Sequence, residues 1–346
     1  MYLASKFSIS ELVTRHRLSL AQIERLGWGK IEKEQLIEEK VRALAELKNI
    51  QTALDQLEQS EIFFILFKGI ALSQRIYGDP TFRTSRDLDI LVLKREDVEI
   101  LRKHLLSLGW EDSEENPWIE NTKRRGWYMD YIHHHMMWNP CLSLLMEIHW
   151  NLDHQFLDLR ENELQQLISG NTQSMQVLNR EIQVLKPELE FMYLLVHGAR
   201  DGYYRLKWLV DILHYPFGKV DYSILKQLLE KYNLKALLVQ ANELLKTYFQ
   251  QEIPFPIESK AAFSTIKYAQ KRIEGELWTE SRSFSQIVES ERYFFLLSPG
   301  ISSFFKSMAR NGIRHQDFSD VELNARWKYY FYRYISYGKR KVSKTD

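Results

Sequence analysis

Residues 63–92 read FFILFKGIALSQRIYGDPTFRTSRDLDILV. One apolar run leads into Lys68 and Gly69, and a second apolar run begins at Asp87. Successive side chains of a β-strand point to opposite faces, so we expect Asp87 and Asp89 to share one face. Two carboxylates at that spacing can bind a divalent cation, and oxygen ligands suit Mg²⁺ or Mn²⁺. The stretch therefore predicts metal-assisted chemistry on a nucleotide.

The surrounding pattern predicts a small mixed sheet. A buried strand over 62–67 precedes a helix over 69–77, and apolar residues at helical spacing predict another helix over 95–108. Two further strands, over 128–138 and 142–150, flank the turn signal Asn139-Pro140. We expect these two strands to pair as an antiparallel hairpin.

Helical periodicity dominates on both sides of this region. Residues 10–58 predict one or two short helices followed by a long amphipathic one, with Val41 and Leu44 among its apolar positions. Beyond about residue 156 we expect mainly helices, including one that Pro187 begins and one over 222–248. The fold class is thus α+β, with a small mixed sheet, flanking helices and a mostly α-helical C-terminal region. We expect three parts: N-terminal helices over 1–60, a catalytic core over 61–155 and a helical domain over 156–346 that ends in a basic, aromatic tail.

Composition limits the classes of function. The chain has 346 residues, a formal net charge of +1, 45% hydrophobic residues and a single cysteine. That charge gives no overall electrostatic case for nucleic acid as a partner, and one cysteine excludes an intrachain disulfide or a Cys-rich zinc site. A reducing, cytoplasmic location fits best. The sequence has no run of about eighteen apolar residues that would predict a membrane span.

A third carboxylate completes the predicted metal site. In the run LLMEIHW over 144–150, alternation puts Glu147 and His149 on one face. If this strand lies beside the strand of Asp87 and Asp89, three like charges repel unless a cation neutralises them. A two-metal site for phosphoryl transfer is the natural solution. The alternative is that Asp87 ends a strand and Glu147 lies exposed on a hairpin.

These residues resemble a known family. The strand before Lys68-Gly69, the run YGDP over 77–80, Arg83, Ser85, the run DLDILV over 87–92 and the later run EIHW over 147–150 are similar to the uncharacterised nucleotidyltransferases of the DNA polymerase β-like superfamily. The resemblance covers about 60–155 and, more weakly, 187–215. It implies a small mixed sheet with an Asp-x-Asp pair and a third acid, and an appended helical region.

Nucleotide binding is expected beside the acids. Gly69 opens a helix whose unsatisfied N–H groups and positive dipole end can face a triphosphate, ATP or another NTP. Lys68, Arg83, Ser85 and Arg86 are the other predicted phosphate contacts. Two features depart from the family pattern: Lys68-Gly69 followed by Ile70 replaces the usual Gly-Ser, and Arg86 replaces a frequent glycine.

Histidines are candidates for the acceptor side of the site. Neighbouring residues of a strand point to opposite faces, so His133, His134 and His135 are not expected to converge on one ion. Either His134, or His133 together with His135, is expected to line the acceptor side. His149 can support Glu147 or contact substrate, or be purely structural.

Two residues of the helical region complete the candidates. His197 and Asp201, four apart on a predicted helix, can contact base, sugar or acceptor. Trp208 and Asp211 are expected to fix helix packing instead.

Three functions follow from these patterns. The leading one is transfer of a nucleoside monophosphate from an NTP to a hydroxyl of a small molecule, peptide or protein, catalysed by Asp87, Asp89 and Glu147 with Mg²⁺. In it Glu147 completes the metal site and helps to deprotonate the acceptor. The second is a nucleotide- or partner-binding protein whose catalytic geometry has decayed. A third, polymerase or tRNA end modification, needs a basic groove.

The tail over 301–346 has an excess positive charge of +6 and interleaved aromatic residues. It is either a binding segment or an ordinary packed helix.

Overall fold

The computed structural model describes residues 6–85, 87–256, 262–275, 284–298, 300–311, 317–318 and 321–332. Seven strands are described: β1 (Phe64–Leu66), β2 (Asp87–Val92), β3 (Glu111–Asp112), β4 (His134–Asn139), β5 (Leu144–His149), β6 (Thr172–Val177) and β7 (Arg180–Leu185). The described helices are α1 (Ile9–Thr14), α2 (Leu20–Arg25), α3 (Lys33–Glu58), α4 (Gly69–Tyr77), α5 (Arg95–Ser107), α6 (Thr122–Tyr131), α7 (Glu161–Ile168), α8 (Pro187–Arg200), α9 (Leu206–Leu213), α10 (Tyr222–Lys231), α11 (Lys235–Phe249), α12 (Phe263–Glu274), α13 (Phe284–Leu297) and α14 (Ile301–Asn311). Residues 326–332 are also helical. The fold is α+β, as the sequence predicts.

A five-stranded sheet has the order β1-β2-β5-β4-β3. The β1–β2, β4–β5 and β3–β4 pairs are antiparallel, whereas β2 and β5 are parallel. The predicted hairpin around Asn139-Pro140 is therefore confirmed. The parallel pair sets Asp89 directly opposite Glu147, which is the neighbourhood that a shared metal site requires.

The two faces of the sheet pack against different helices. Leu88, Ile90 and Met146 belong to a core with residues of α3 and α5, such as Leu54 and Leu101. On the other face Phe67 and Leu91 join the large core that contains α8 and α9. Since side chains alternate along a strand, Asp87, Asp89, Glu147 and His149 face the α8–α9 side. The acids thus lie between the sheet and the C-terminal helices.

The long helix α3 is buried over only part of its length. Leu47, Ile50 and Leu54 are buried, whereas Val41 and Leu44 are 60% and 52% exposed. The predicted amphipathic helix is confirmed, but the fully buried part of its apolar stripe lies in its C-terminal half, while Leu36 near its start is only partly buried against a core.

Three elements differ from the sequence-based prediction. Residues 128–131 end the helix α6 instead of starting a strand, so β4 begins only at His134. The chain beyond 156 contains an antiparallel hairpin, β6–β7, in which Val177, Ile182 and Val184 join one core of the five-stranded sheet. The predicted helix over 222–248 is two helices, separated where Asn233 has a positive φ of 53°. The division into three parts stays a prediction.

Two buried ion pairs link the sheet region to the helices. Arg83 donates from Nε to both carboxylate oxygens of Asp211 on α9, at 2.8 and 3.0 Å. Arg75 on α4 pairs with Glu190 on α8. Buried charges are stable only when paired, so these contacts fix how α8 and α9 lie over the site.

Candidate functional site

Asp89 is the most buried carboxylate of the predicted set, at 3% exposure. Its Oδ1 accepts hydrogen bonds from Nζ of Lys68 at 2.9 Å and from Nε2 of His149 at 3.1 Å. Nε2 of His149 also lies 3.1 Å from Oε2 of Glu147. Oxygen or nitrogen atoms of Asp89, Glu147 and His149 lie within 4.8 Å of one another, close enough to bind one cation. The structure therefore brings together two predicted acids and His149.

Asp87 lies on the same face of β2 as Asp89, two residues earlier in the strand. Ser85 donates its hydroxyl to the backbone oxygen and to Oδ1 of Asp87, both at 3.1 Å. Burial, followed by the charges of Asp89 and Glu147, raises the pKa of Asp87. Such repulsion is what a divalent cation would relieve. The donor set of three carboxylates fits Mg²⁺ or Mn²⁺.

Glu147 stays ionised in this surrounding. Burial acts to raise its pKa, but the hydrogen bond with His149 and the neighbouring positive charges outweigh burial and lower the pKa below the usual range. A carboxylate held in its anionic form is a good metal ligand and a weak proton acceptor. This favours the metal-binding part of the role predicted for Glu147 over its part in deprotonating the acceptor.

Lys68 has an unusual backbone. It has φ 61° and ψ −150°, and Gly69 follows with φ 41° at the start of α4. Non-glycine residues adopt positive φ at a cost, and such conformations cluster at functional sites. Burial acts to lower the pKa of Lys68, but the charge of Asp89 outweighs it and raises the pKa. Lys68 is therefore a charged partner of the acids.

Gly69 is required by its surroundings as well as by its φ. A Cβ placed there would lie 3.1 Å from Oγ of Ser85. The predicted phosphate contacts Gly69 and Ser85 thus lie against each other at the N-terminus of α4. Arg83 lines the same cavity, with its Nε bound to Asp211 as described above. Arg86 lies outside the described residues.

A cavity of about 250 Å³ lies over the acids, between the sheet and α8–α9. Its walls include the predicted residues and several that the sequence analysis missed. The complete lining is Lys68, Gly69, Arg83, Ser85, Asp87, Asp89, His133, His134, Glu147, His149, His197, Arg200, Asp201, Tyr204, Arg205, Lys207 and Trp208.

The missed cations are Arg200, Arg205 and Lys207, all from α8, α9 or the turn between them. Lys207 donates from Nζ to the backbone oxygen of Thr84 at 2.6 Å, and burial, together with the charge of Arg83, lowers its pKa to about 7. Nε of Arg205 is buried without a hydrogen-bond partner. No local sequence pattern marks these three residues, because they reach the cavity only through the packing of α8 and α9 over the sheet.

The predicted residues of the helical region also line this cavity. Arg200 donates to Nδ1 of His197 at 3.0 Å and to Asp201 at 3.3 Å. The ring of His197 also stacks with Tyr193 and meets Trp208 edge-on. Asp211 is fully buried and pairs with Arg83, which confirms its expected packing role.

The histidine run divides between the two faces of the sheet. His135 is fully buried on the opposite face, where its Nε2 lies 2.7 Å from Oδ1 of Asp112. His133 precedes β4 and so escapes strand alternation, and nitrogen atoms of His133, His134 and His149 lie within 4.8 Å of one another. The expectation that neighbouring histidines of the run cannot converge is therefore wrong for His133 and His134. The alternative that pairs His133 with His135 is wrong as well, because His135 faces away.

The known family that this chain matches agrees with this geometry. The model of the uncharacterised nucleotidyltransferase family matches residues 20–250, more than half of the chain. The chain belongs to this family. The nucleotidyltransferase family indicates transferase chemistry with an NTP as substrate, and the predicted resemblance is confirmed.

One solved structure with a detectable likeness is that of an antigenic nucleotidyltransferase-like protein from Paracoccidioides brasiliensis. It is 15% identical, the match covers 62% of this chain and 94% of that chain, and the TM-score is 0.31. Comparison with the curated proteins gives no match. Within the described residues, no helix combines the length and the apolar character that a membrane crossing needs.

Proposed function

We propose that this protein transfers a nucleoside monophosphate from an NTP, such as ATP, to a hydroxyl group of a small molecule, peptide or protein. The observation that supports this is the pairing of Asp89 with Glu147 across the parallel strands, with Asp87 on the same face. The acceptor oxygen attacks the α-phosphorus, the bond from that phosphorus to the bridging oxygen of the β-phosphate breaks, and pyrophosphate leaves. The acceptor hydroxyl loses its proton to the site or to water.

Asp87, Asp89 and Glu147 would hold Mg²⁺ or Mn²⁺. When bound, such cations supply charge neutralisation at the leaving pyrophosphate and lower the pKa of an acceptor hydroxyl. Burial of Asp89 and the anionic state of Glu147 fit this role, because divalent cations bind deprotonated carboxylates.

The phosphate chain would lie at the N-terminus of α4. Gly69 leaves room there, and the hydroxyl of Ser85 lies in the space where a side chain at position 69 would be. Ser85 can thus take the place of the serine that the family pattern has after its first strand. Lys207 and Arg205 would meet the same phosphates from α9 and the turn before it, since they line the opposite wall of the cavity. Arg86 remains a predicted contact.

The acceptor would enter beside the histidines. His134 and His149 line the cavity beside the carboxylates, and His197 and Asp201 line it as well. Burial lowers the pKa of His134 to about 3, so its ring is neutral at pH 7 and can accept or donate a hydrogen bond without charge.

One observation favours the alternative of a nucleotide- or partner-binding protein without catalysis. The ammonium group of Lys68 and the ring of His149 already contact the carboxylate oxygen of Asp89. A protein that neutralises its acids internally has less need of cations. In the catalytic protein, Lys68 must instead exchange Asp89 for a phosphate oxygen when nucleotide and cation bind.

The test uses NTPs labelled at the α-phosphate, Mg²⁺ and fractionated cell metabolites and peptides as acceptors. The proposal expects label transfer and pyrophosphate release, both abolished in the Asp87→Asn/Asp89→Asn variant. The matched control neutralises two exposed acids of α3, Glu34→Gln/Glu38→Gln, and keeps full activity. Transfer that survives loss of both aspartates would refute the catalytic assignment. Calorimetric NTP binding without pyrophosphate release would support the alternative.

A further inference from the structure

His133, His134 and His149 form a cluster beside the carboxylates, which we call the histidine triad. One nitrogen of each lies within 4.8 Å of the others. The ring centroids are 4.6 Å apart for His133 and His134, and 5.0 Å apart for His134 and His149. Three imidazole nitrogens at this separation match the ligand number of an open zinc site, in which water or substrate takes the fourth position.

The hydrogen bonds of His149 leave one nitrogen unused. Its Nε2 lies 3.1 Å from an oxygen of Asp89 and 3.1 Å from an oxygen of Glu147, so Nε2 carries the proton that these acceptors require. A ring with this tautomer carries its lone pair on Nδ1. This Nδ1 is buried and has no hydrogen-bond partner, and the whole residue is only 1% exposed. Histidines that bind metals commonly donate their other N–H to a carboxylate in this way.

A second nitrogen is unused on the neighbouring ring of His134. Nδ1 of His134 is also buried without a hydrogen-bond partner. Unpaired buried polar atoms are costly, and two of them on neighbouring rings call for an explanation. A cation with an affinity for nitrogen would satisfy both.

A guanidinium group also lies beside the triad. Arg200 lies 3.4 Å from Nε2 of His133, and it also contacts Asp153 and Asp201 at 3.4 and 3.3 Å. Two carboxylates thus offset its positive charge. The contact with His133 is long for a hydrogen bond, so it is a weak competitor for that nitrogen.

We propose that the histidine triad is a binding site for a divalent transition metal such as Zn²⁺, distinct from the Mg²⁺ position on the three carboxylates. Imidazole nitrogen suits Zn²⁺, Co²⁺ and similar ions, whereas Mg²⁺ prefers oxygen. The protein would then hold two chemically different cations side by side, with His149 linking the two positions through its two nitrogens. This site does not depend on transfer activity.

The first experiment titrates the purified, metal-stripped protein with Co²⁺ and follows the visible absorption that nitrogen ligands give the ion. We expect one equivalent of Co²⁺ to bind, Zn²⁺ to displace it, and millimolar Mg²⁺ to leave it bound. In the His133→Ala/His134→Ala variant the affinity for Co²⁺ should fall at least ~100-fold, because two of the three ligands are lost. Loss of a residue that only supports a ligand already lowers metal affinity by about 10–100-fold. His104→Ala, which removes a histidine of α5 outside the cavity, should behave as the wild type.

A second measurement needs no variant and so does not depend on the folding of one. X-ray absorption of the wild-type protein with one equivalent of Zn²⁺ should show three imidazole ligands. A shell of oxygen ligands only, or Co²⁺ that Mg²⁺ displaces at equal concentration, would overturn the proposal. If the wild-type protein binds Co²⁺ in this way but transfers no label from any NTP, the proposed function is refuted and the triad site is still supported.

Discussion

Nζ of Lys68 lies 2.9 Å from Oδ1 of Asp89, so a lysine at a strained backbone position neutralises part of the acid cluster. A divalent cation must compete with this ammonium group for the same oxygen. The contact therefore sets the affinity of the carboxylates for metal in the absence of nucleotide.

We expect Lys68→Met to strengthen Mn²⁺ binding to the free protein. Two unit charges about 4 Å apart interact by roughly 4 kcal/mol near a protein surface. A gain of about tenfold in Mn²⁺ affinity uses only part of that energy. Titration calorimetry with Mn²⁺ measures the change. Lys94→Met, just after the far end of the neighbouring strand β2, removes an exposed lysine and should change nothing. Weaker Mn²⁺ binding in Lys68→Met would show that the lysine supports the metal site instead of competing with it.

The Arg83–Asp211 pair is expected to be structural as well as functional. Arg83→Ala leaves Asp211 buried without its partner, and breaking such a pair costs about 3–5 kcal/mol. Urea unfolding at pH 7 measures the loss. The exposed pair of Arg160 and Glu163 is the control, where Arg160→Ala should leave the free energy of unfolding nearly unchanged.

A double variant separates the two roles of Arg83. Arg83→Met/Asp211→Leu removes both charges, and we expect it to recover much of the lost stability. If nucleotide binding returns with stability, Arg83 serves packing alone. If binding stays lost in the stable double variant, its guanidinium contacts phosphate.

The lowered pKa of Lys207 predicts a pH-dependent stability. The unfolded chain keeps the proton of Lys207 up to about pH 10.5, whereas the folded protein releases it above about pH 7. Between these pH values the unfolded state binds more protons than the folded state, so the free energy of unfolding falls as the pH is lowered from about 10.5 to about 7. Below about pH 7 both states hold the proton, and the full cost of burying the charged ammonium group remains. We expect Lys207→Met to be more stable than the wild type at pH 7, with a difference that shrinks by pH 10. Unfolding curves at several pH values test this, and a constant difference would contradict it.

Nucleotide binding should reverse the lowering of the Lys207 pKa. A triphosphate near Lys207 favours the charged ammonium and raises its pKa, so binding at pH 8 should take up protons. Calorimetry in two buffers with different ionisation enthalpies measures the number of protons. Lys207→Met should abolish most of the uptake, and equal uptake in both proteins would assign it to another group.

Gly69 and Gly78 form a matched pair for the phosphate site. Both have positive φ, 41° and 70°, but a side chain at position 78 would meet no atom within 4 Å, whereas one at position 69 would press on Ser85. Alanine at either position should cost roughly 1–2 kcal/mol of stability for the left-handed backbone. Only Gly69→Ala should also weaken NTP binding, as measured by calorimetry. Equal loss of binding in both variants would mean that α4 as a whole, and not the space beside Ser85, matters.

Local patterns in the sequence were sufficient for much of the fold. The helix over 69–77 and the strand from Asp87 have their predicted bounds, because glycine, proline and charged residues mark their ends. Tyr128–Tyr131 were misassigned because aromatic residues favour strands, while Asn121, which caps α6, was not recognised as a helix start. Short polar strands such as β6 carry too few apolar residues to be recognised.

The site was predictable where it depends on strand alternation and not where it depends on packing. Asp87, Asp89, Glu147 and His149 share a face because their spacing is two. Lys207 and Arg205 reach the cavity only because α8 and α9 cross the sheet, a tertiary arrangement that no local pattern encodes. The error over His133 has the same origin, because His133 lies just before β4, where strand alternation does not set the direction of its side chain.

The parallel neighbours β2 and β5 have a consequence for the order of folding. Asp89 and Glu147 are far apart in the chain, and the helices α5 and α6 and the strand β4 lie between them. Closing so long a loop costs entropy before any contact compensates for it, so this pairing forms late. A nascent or truncated chain that ends before β5 would have its aspartates without their glutamate, and cation capture would begin only after the last strand of the sheet has entered between its neighbours.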